Sequence, residues 1–226
     1  MIKALIFDFD GLIIDTEGPD YQAWQETYES FGCALPLAEW AAEIGTYGAF
    51  DPYEYLARQL GQPIDRTAVR TRRHARFAEL IEQQAVLPGV ESYLQAARER
   101  GLRVGIASSS PRAWVVGHLA RFGLDQSFDC IKTADDVERV KPDPALYLAA
   151  LDTLDVRSHE ALAFEDSPNG ALAATRAGIY CVVIPNRLTQ QLAHDAANLQ
   201  LASLADLPLS ALLARVERNG AAGAMA

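Results

Sequence analysis

Apolar residues recur along this chain with two different periods, and the change from one to the other divides it. Ala4, Leu5, Ile6 and Phe7 form an unbroken apolar run of the kind a strand buried on both faces needs. From Tyr21 the spacing turns helical: Tyr21, Trp24, Tyr28 and Phe31 would line one stripe, and Gly32 would end it. A second helix is expected over 37–44 and stopped by Gly45, and a third over 52–60 and closed by Gly61. Asp65 would cap a long helix over 66–84. No strand-like run interrupts 18–86, so that block reads as all-helical.

Beyond Leu87, Pro88 and Gly89 the pattern alternates. A helix over 89–100 leads to a short apolar strand over 103–107, and a helix running to about Phe122 leads to a strand over 128–132. Ser110 followed by Pro111 signals the start of the helix that runs to about Phe122, and Asp143 followed by Pro144 the start of another. Strands follow over 161–164 and 180–184, with a helix over 168–177 between them and a last helix near 210–216. Strands alternating with helices predict an α/β fold, a doubly wound parallel sheet. The helical block is then an insertion behind the first strand. The expected division is 1–17 and 87–217 for a Rossmann-like core, 18–86 for a helical cap with hinges at 14–18 and 84–88, and 218–226 for a loose tail.

Polar residues gather where these strands end. Asp8 and Asp10 follow the first, Ser108 and Ser109 the second, and Glu165 and Asp166 the fourth; Lys141 opens the loop before a helix. In open α/β sheets ligands sit at the carboxyl ends of the strands. Residues i and i+2 of a strand point the same way, so Asp8 and Asp10 would face one site. Two such carboxylates repel unless a cation lies between them, and Gly11 behind them allows a turn or a close approach to the backbone. A solvated turn after an edge strand is the bland alternative, and the apolar run before the pair speaks against it. Ser108 and Ser109, where a strand meets a helix N-terminus, could bind phosphate oxygens, although a serine there is often only a cap. Lysine is scarce, the others being Lys3 and Lys132, which sets Lys141 apart from a generic surface cation. Arg70, Arg72, Arg73 and Arg76 recur along the long cap helix and read as a solvated basic face.

Composition narrows the partners. A formal net charge of -10 over 226 residues argues against sequence-independent nucleic-acid binding. Cys33, Cys130 and Cys181 are odd in number and carry no metal-ligand spacing, so reduced thiols and a cytoplasmic location are expected. No signal peptide and no membrane-spanning apolar segment are read, and a monomer is expected.

The run from Asp8 to Glu17, DFDGLIIDTE, resembles the DxDGxxxDTE motif of the haloacid dehalogenase-like hydrolases. The Ser108 loop, Lys141 before Pro142-Asp143-Pro144, and the Glu165-Asp166 pair are similar to three further motifs of that family. The closest likeness is to the subgroup of β-phosphoglucomutase and small sugar-phosphate phosphatases. The resemblance implies a Rossmann-like core with a helical cap and a phosphatase acting on a small phosphorylated metabolite. It implies Asp8 as nucleophile forming an aspartyl-phosphate, Asp10 as general acid and then base, and Lys141 balancing charge. It further implies Mg²⁺ held by Asp8, Asp166 and the Asp10 backbone carbonyl, with Glu165 either a ligand or a support to one. Gly11, Ser108, Ser109 and Lys141 would bind phosphate, and Arg73 could reach the substrate from the cap.

Relatives with other chemistries fit less well. Dehalogenases lack the second aspartate, and phosphonate-cleaving members use a cap lysine where 18–86 contains none. Phosphomutases carry a cap histidine where Asp20 stands, and a cap arginine in the loop where Thr46, Tyr47 and Phe50 occur. A phospho-accepting receiver module is the non-enzyme alternative, and the helical insertion counts against it.

Overall fold

The computed structural model describes residues 1–41 and 50–223. Its centre is β1 (Ala4–Phe7), all four residues of which are fully buried. Parallel neighbours flank it on both sides: β2 (Arg103–Ala107) and then β3 (Cys130–Lys132) on one, β4 (Ala161–Glu165), β5 (Tyr180–Val183) and β6 (Leu199–Gln200) on the other. A strand between two others and under helices on both faces needs apolar residues at every position, which is why its sequence shows a run and no alternation.

The period of two is still present, but it sorts residues between two cores. Leu5 and Phe7, with Val104, Ile106, Leu162, Phe164 and Val182, face α5 (Val90–Glu99), α6 (Arg112–Arg121) and α9 (Leu209–Gly223). Phe7 stacks on Phe164 with ring centroids 4.7 Å apart. Ala4 and Ile6, with Ala161, Ala163, Cys181 and Val183, face α7 (Ala145–Leu154) and α8 (Pro168–Arg176). Burying a Leu, Ile or Phe side chain contributes ~1.5–3 kcal/mol, so both faces hold β1 in place.

The helices α1 (Glu17–Glu29), α2 (Leu37–Ala41), α3 (Pro52–Leu60) and α4 (Arg66–Glu82) lie between β1 and α5 in sequence and build a third apolar cluster from Trp24, Tyr28, Leu35, Trp40, Leu56 and Val69. Leu188, from the loop after β5, is buried in it as well. Asp65 caps α4 as expected, and Asp51 caps α3 as well. The two chain segments that enter and leave this block run side by side: Ile14 bridges Val86, and the Leu87 N–H donates to the Ile13 carbonyl at 2.8 Å.

Several expectations need correction. Phe31 is 40% exposed, because α1 ends at Glu29 and the stripe ends with it. The third strand starts at Cys130 instead of 128, since the Asp129 carboxylate accepts the Val104 N–H that a ladder partner would take. The two-residue β6 was too short to register as a period. The final helix is not confined to 210–216: it runs to Gly223, through part of the expected loose tail, and 224–226 lie outside the described residues. The expected second helix is described only to Ala41; Gly45, Thr46 and Tyr47 lie outside the described residues. Phe50 packs on Tyr55 within the third cluster.

Gly89 and Gly61 both have positive φ, 92° and 66°, but only Gly89 is crowded: a Cβ there would stand 2.4 Å from the Ala205 nitrogen and the Leu204 carbonyl carbon. Gly61→Ala should lose the ~1–2 kcal/mol of a left-handed residue. Gly89→Ala should lose a further ~1–3 kcal/mol, because the backbone it meets cannot turn aside. Urea denaturation of the two variants checks this, and equal losses would contradict the close packing of α5 on the 204–205 turn.

Candidate active site

Asp8 directly follows β1. Its N–H still donates to the Phe164 carbonyl at 2.9 Å, so the sheet ladder holds it in register as it leaves the strand. Glu165 is the last residue of β4, the strand beside β1, and Asp166 is the next. Lys141 arrives from the loop before α7 with its Nζ 2.6 Å from Asp8 Oδ1 and 2.6 Å from Glu165 Oε1. Its side chain is 6% exposed. The Tyr147 hydroxyl on α7 also donates to Glu165 Oε1, at 2.5 Å.

Asp8, Glu165 and Asp166 are all buried, and each offers a carboxylate oxygen within 4.8 Å of the others. One ammonium cannot balance three such groups. Burial, aided by the Asp8 charge, pushes Glu165 up to about 7 and Asp166 well above the ordinary carboxylate range. Burial likewise raises Asp8, against the pull of Lys141. Lys141 is itself raised: burial disfavours its charge, but the carboxylates of Asp8 and Glu165 outweigh that. Partial burial, with the charges of Asp20, Asp10 and Asp15, pushes the half-buried Glu17 up to about 8. A buried, oxygen-only cluster short of positive charge fits a hard divalent cation.

Gly11 serves this cluster by being small. At φ 75° a Cβ would lie 2.2 Å from Asp166 Oδ2 and 2.9 Å from Asn186 Nδ2. Asn186, in the loop after β5, donates to that same Asp166 oxygen at 2.7 Å. Asn186 lies beyond a strand end, the position that singled out the other polar residues, yet an Asn after a Pro reads first as a turn.

Asp10 departs from the strand-based expectation. The strand ends at Phe7, so the alternation that would aim Asp10 alongside Asp8 stops, and Asp10 turns toward α6. Its Oδ2 accepts from Ser110 Oγ at 2.6 Å and from Ser108 Oγ at 3.3 Å, and its Oδ1 accepts from Trp114 Nε1 at 2.8 Å. Its side chain is not one of the three clustered carboxylates. Ser110 is therefore no helix cap: Pro111 occupies that position, and the Arg112 N–H that opens α6 donates to the Asp135 carboxylate at 2.8 Å. Ser108 is fully buried and accepts the Ser110 N–H at 3.0 Å, while Ser109 between them is partly exposed.

The cap arginines are not one solvated face. Arg73 pairs with Asp20 on α1, stands over the Trp24 ring at 5.3 Å, and is 13% exposed. Arg76 binds Glu26 at 2.6 Å. Only Arg70 and Arg72 are exposed as expected. Among the described residues no helix is long and apolar enough to cross a membrane.

The chain as a whole is similar to known proteins. A model of the haloacid dehalogenase-like hydrolase family matches residues 5–184. The Bacillus subtilis protein YhcW, which carries a phosphatase name, is 50% identical over 94% of this chain and 97% of its own length. Hexitol phosphatase B of Escherichia coli K12 is 34% identical over 93% of each chain. Two crystal structures of CbbY from Rhodobacter sphaeroides, one with phosphate and one with xylulose-(1,5)bisphosphate, are 30% identical with TM-scores of 0.72 and 0.73. Each alignment covers 94% of this chain and 99% of CbbY.

The charge balance around Lys141 yields a stability test. Lys141→Met would leave Asp8 and Glu165 buried without their cation, and breaking a buried pair this way costs ~3–5 kcal/mol. Glu165 is pushed up to about 7 with Lys141 in place, and losing the lysine pushes it higher, so the added penalty for its charge grows as pH rises above about 7 and is absent where both proteins hold it protonated. The destabilisation of Lys141→Met, measured by thermal denaturation without divalent cations, should accordingly be largest above pH 7 and smaller near pH 5. A loss independent of pH would mean that the lysine matters only for packing.

Proposed function

Because this chain belongs to the haloacid dehalogenase-like hydrolases and is a phosphoric monoester hydrolase, we propose that it is a Mg²⁺-dependent sugar-phosphate phosphatase working through an aspartyl-phosphate on Asp8. The observation that carries this reading is the ammonium of Lys141 held 2.6 Å from both Asp8 and Glu165. The cation would be held by Asp8 and Asp166, with the Asp10 backbone carbonyl. Glu165, whose Oε1 already serves Lys141 and Tyr147, is first a support for the lysine. When bound, the cation supplies the positive charge that lets an anionic nucleophile approach an anionic phosphate.

An Asp8 oxygen attacks phosphorus, the bond from phosphorus to the leaving oxygen breaks, and Asp10 gives that oxygen its proton. Lys141 orients the attacking carboxylate and offsets charge on the transferring group. Ser108 and the N–H groups before α6 bind phosphate oxygens, with Ser109 and the Gly11 backbone beside them. Water then attacks phosphorus, Asp10 takes its proton, and phosphate leaves with the Asp8 carboxylate restored.

Three observations favour a sugar-phosphate phosphatase over the phosphomutase alternative. A relative of matching length is a hexitol phosphatase. The position where the mutase resemblance calls for histidine is Asp20, and Asp20 is engaged by Arg73. Glu17 is pushed up by burial and by the charges of Asp20 in the cap and of Asp10, Asp15 and Asp8, so cap and core carboxylates act on one group. An arginine already paired with Asp20 offers hydrogen bonds to hydroxyls more readily than a full charge to a second phosphate. Residues 18–86 would act as a lid, moving on the paired segments at Ile14 and Val86. The three free cysteines support a reducing, cytoplasmic setting.

With Mg²⁺ and a panel of sugar and alditol monophosphates, the wild type should turn over at least one, and lose that turnover on chelation. Asp8→Asn should abolish turnover, and Asp10→Asn should lower it by roughly 10²–10⁴-fold. Folded protein inactive on the whole panel, or modest and equal losses at both positions, would refute the assignment. Arg73→Ala should raise KM for the sugar phosphate and leave para-nitrophenyl phosphate, which has no hydroxyls to bind, nearly unchanged; equal effects on both would remove the cap from substrate recognition.

A further inference from the structure

Trp114 reads in sequence as one more apolar residue of a core helix, yet it is only half-buried, and Val115 and Leu119 fill the buried face of α6. Its indole N–H points at Asp10 Oδ1, 2.8 Å away. We propose that Trp114 is a positioning residue for Asp10, and that it takes its own orientation from Phe77 on the cap helix α4. The first half rests on the phosphatase reading for what Asp10 does; the second rests on geometry alone.

The two oxygens of Asp10 are held differently. Oδ2 is shared by the hydroxyls of Ser110 and Ser108, whereas Oδ1 has the Trp114 N–H. With Trp114 in place the carboxylate is fixed at both oxygens. Without it the group pivots about Oδ2, and the direction in which a proton leaves or arrives is no longer set. Hydrogen bonds to a carboxylate are the stronger kind, so a single indole suffices to orient it.

The indole is clamped in turn. Phe77 stacks on it with centroids 5.8 Å apart and planes at 16°, and His118 meets it edge-on at 4.2 Å. Phe77 belongs to α4, the end of which is tied to α6 at a second point. Arg121 donates to the Gln84 carbonyl at 2.7 Å and, at 3.0 Å, to the Ile81 carbonyl, which also accepts the Gln84 N–H. The cap helix thus rests on α6 at Arg121 and at Trp114, and the second of these contacts reaches Asp10. Seating of the cap and aim of the proton donor become one event.

The test uses the dependence on leaving group, because a general acid matters for an alkoxide and hardly at all for a nitrophenolate. kcat/KM covers only the steps through the first phosphoryl transfer, so it isolates that role. Trp114→Phe keeps the ring stack and deletes the N–H. It should lower kcat/KM for a sugar monophosphate roughly 10–100-fold, the scale of a misaligned catalytic group, and leave para-nitrophenyl phosphate little changed. Phe77→Leu should show the same selectivity with a smaller loss. Equal losses on both esters, or none, or a gain, would overturn the role. A wild type inactive on both esters would sink the phosphatase reading instead, and NMR of the indole N–H groups then decides the geometric half. Of the three tryptophan signals the one absent in Trp114→Phe is Trp114. It should be protected from exchange in the wild type, shifted in Asp10→Asn, and deprotected in Phe77→Ala. A Trp114 signal that ignores Phe77→Ala overturns the coupling whatever the turnover.

Discussion

An ammonium group almost wholly removed from water is tolerable only if anions meet it, and much of this molecule can be understood as the arrangement that brings them. Lys141 reaches Asp8 and Glu165 at equal distance because β1 and β4 are neighbours in the sheet and end level with each other. Had any other strand lain between them, the lysine could pair with one carboxylate at most. The desolvation of each ion costs several kcal/mol, so the sheet order and the charge cluster support each other. Tyr147 adds a donor to Glu165 from the first turn of α7, and that helix is packed through Leu146 and Leu151 on the face to which Ala4 and Ile6 point. Core packing on that face therefore sets the distance at which the lysine stands.

The residues legible in the sequence were those whose position in a strand decides their role. Asp8, Glu165 and Asp166 sit one step beyond or at the end of apolar runs, and a strand end in an α/β sheet has a known direction. Lys141 stood out by rarity. What could not be read is whatever depends on a side chain leaving its element's pattern. Asp10 obeys no strand period, because β1 stops at Phe7. Ser110 looks like a cap because Pro111 follows it, and only the turn after β2 reveals that its hydroxyl is spent on Asp10. Trp114 occupies an apolar slot, and spacing does not report an indole N–H. The pairing of Arg73 with Asp20 joins two helices with the length of α2 and α3 between them, a distance that periodicity does not span.

The loop after β5 is a second place where cap and core meet. Asn186 holds Asp166 with its amide nitrogen and, through its amide oxygen, fixes the backbone of Leu188 and Thr189. Leu188 is then buried among the aromatic residues of the cap. Two residues apart, the same loop touches a carboxylate of the site and the interior of the helical block. Gly11 allows the approach by omitting the one carbon atom that would stand between Asp166 and Asn186.

The placement of β1 also bears on how the chain is made. Both partners of this strand come late: β2 begins at residue 103 and β4 at 161. During synthesis this apolar strand must therefore stay unpaired while the helical block and the first half of the core are made. Contacts of such long range are slow to form, and an exposed apolar strand is the kind of segment on which chaperones act. The aromatic block that follows, with its own apolar cluster, can collapse locally in the meantime. The carboxylate cluster is consequently late to form, closed only when residues 161–166 slot in beside a strand made long before them.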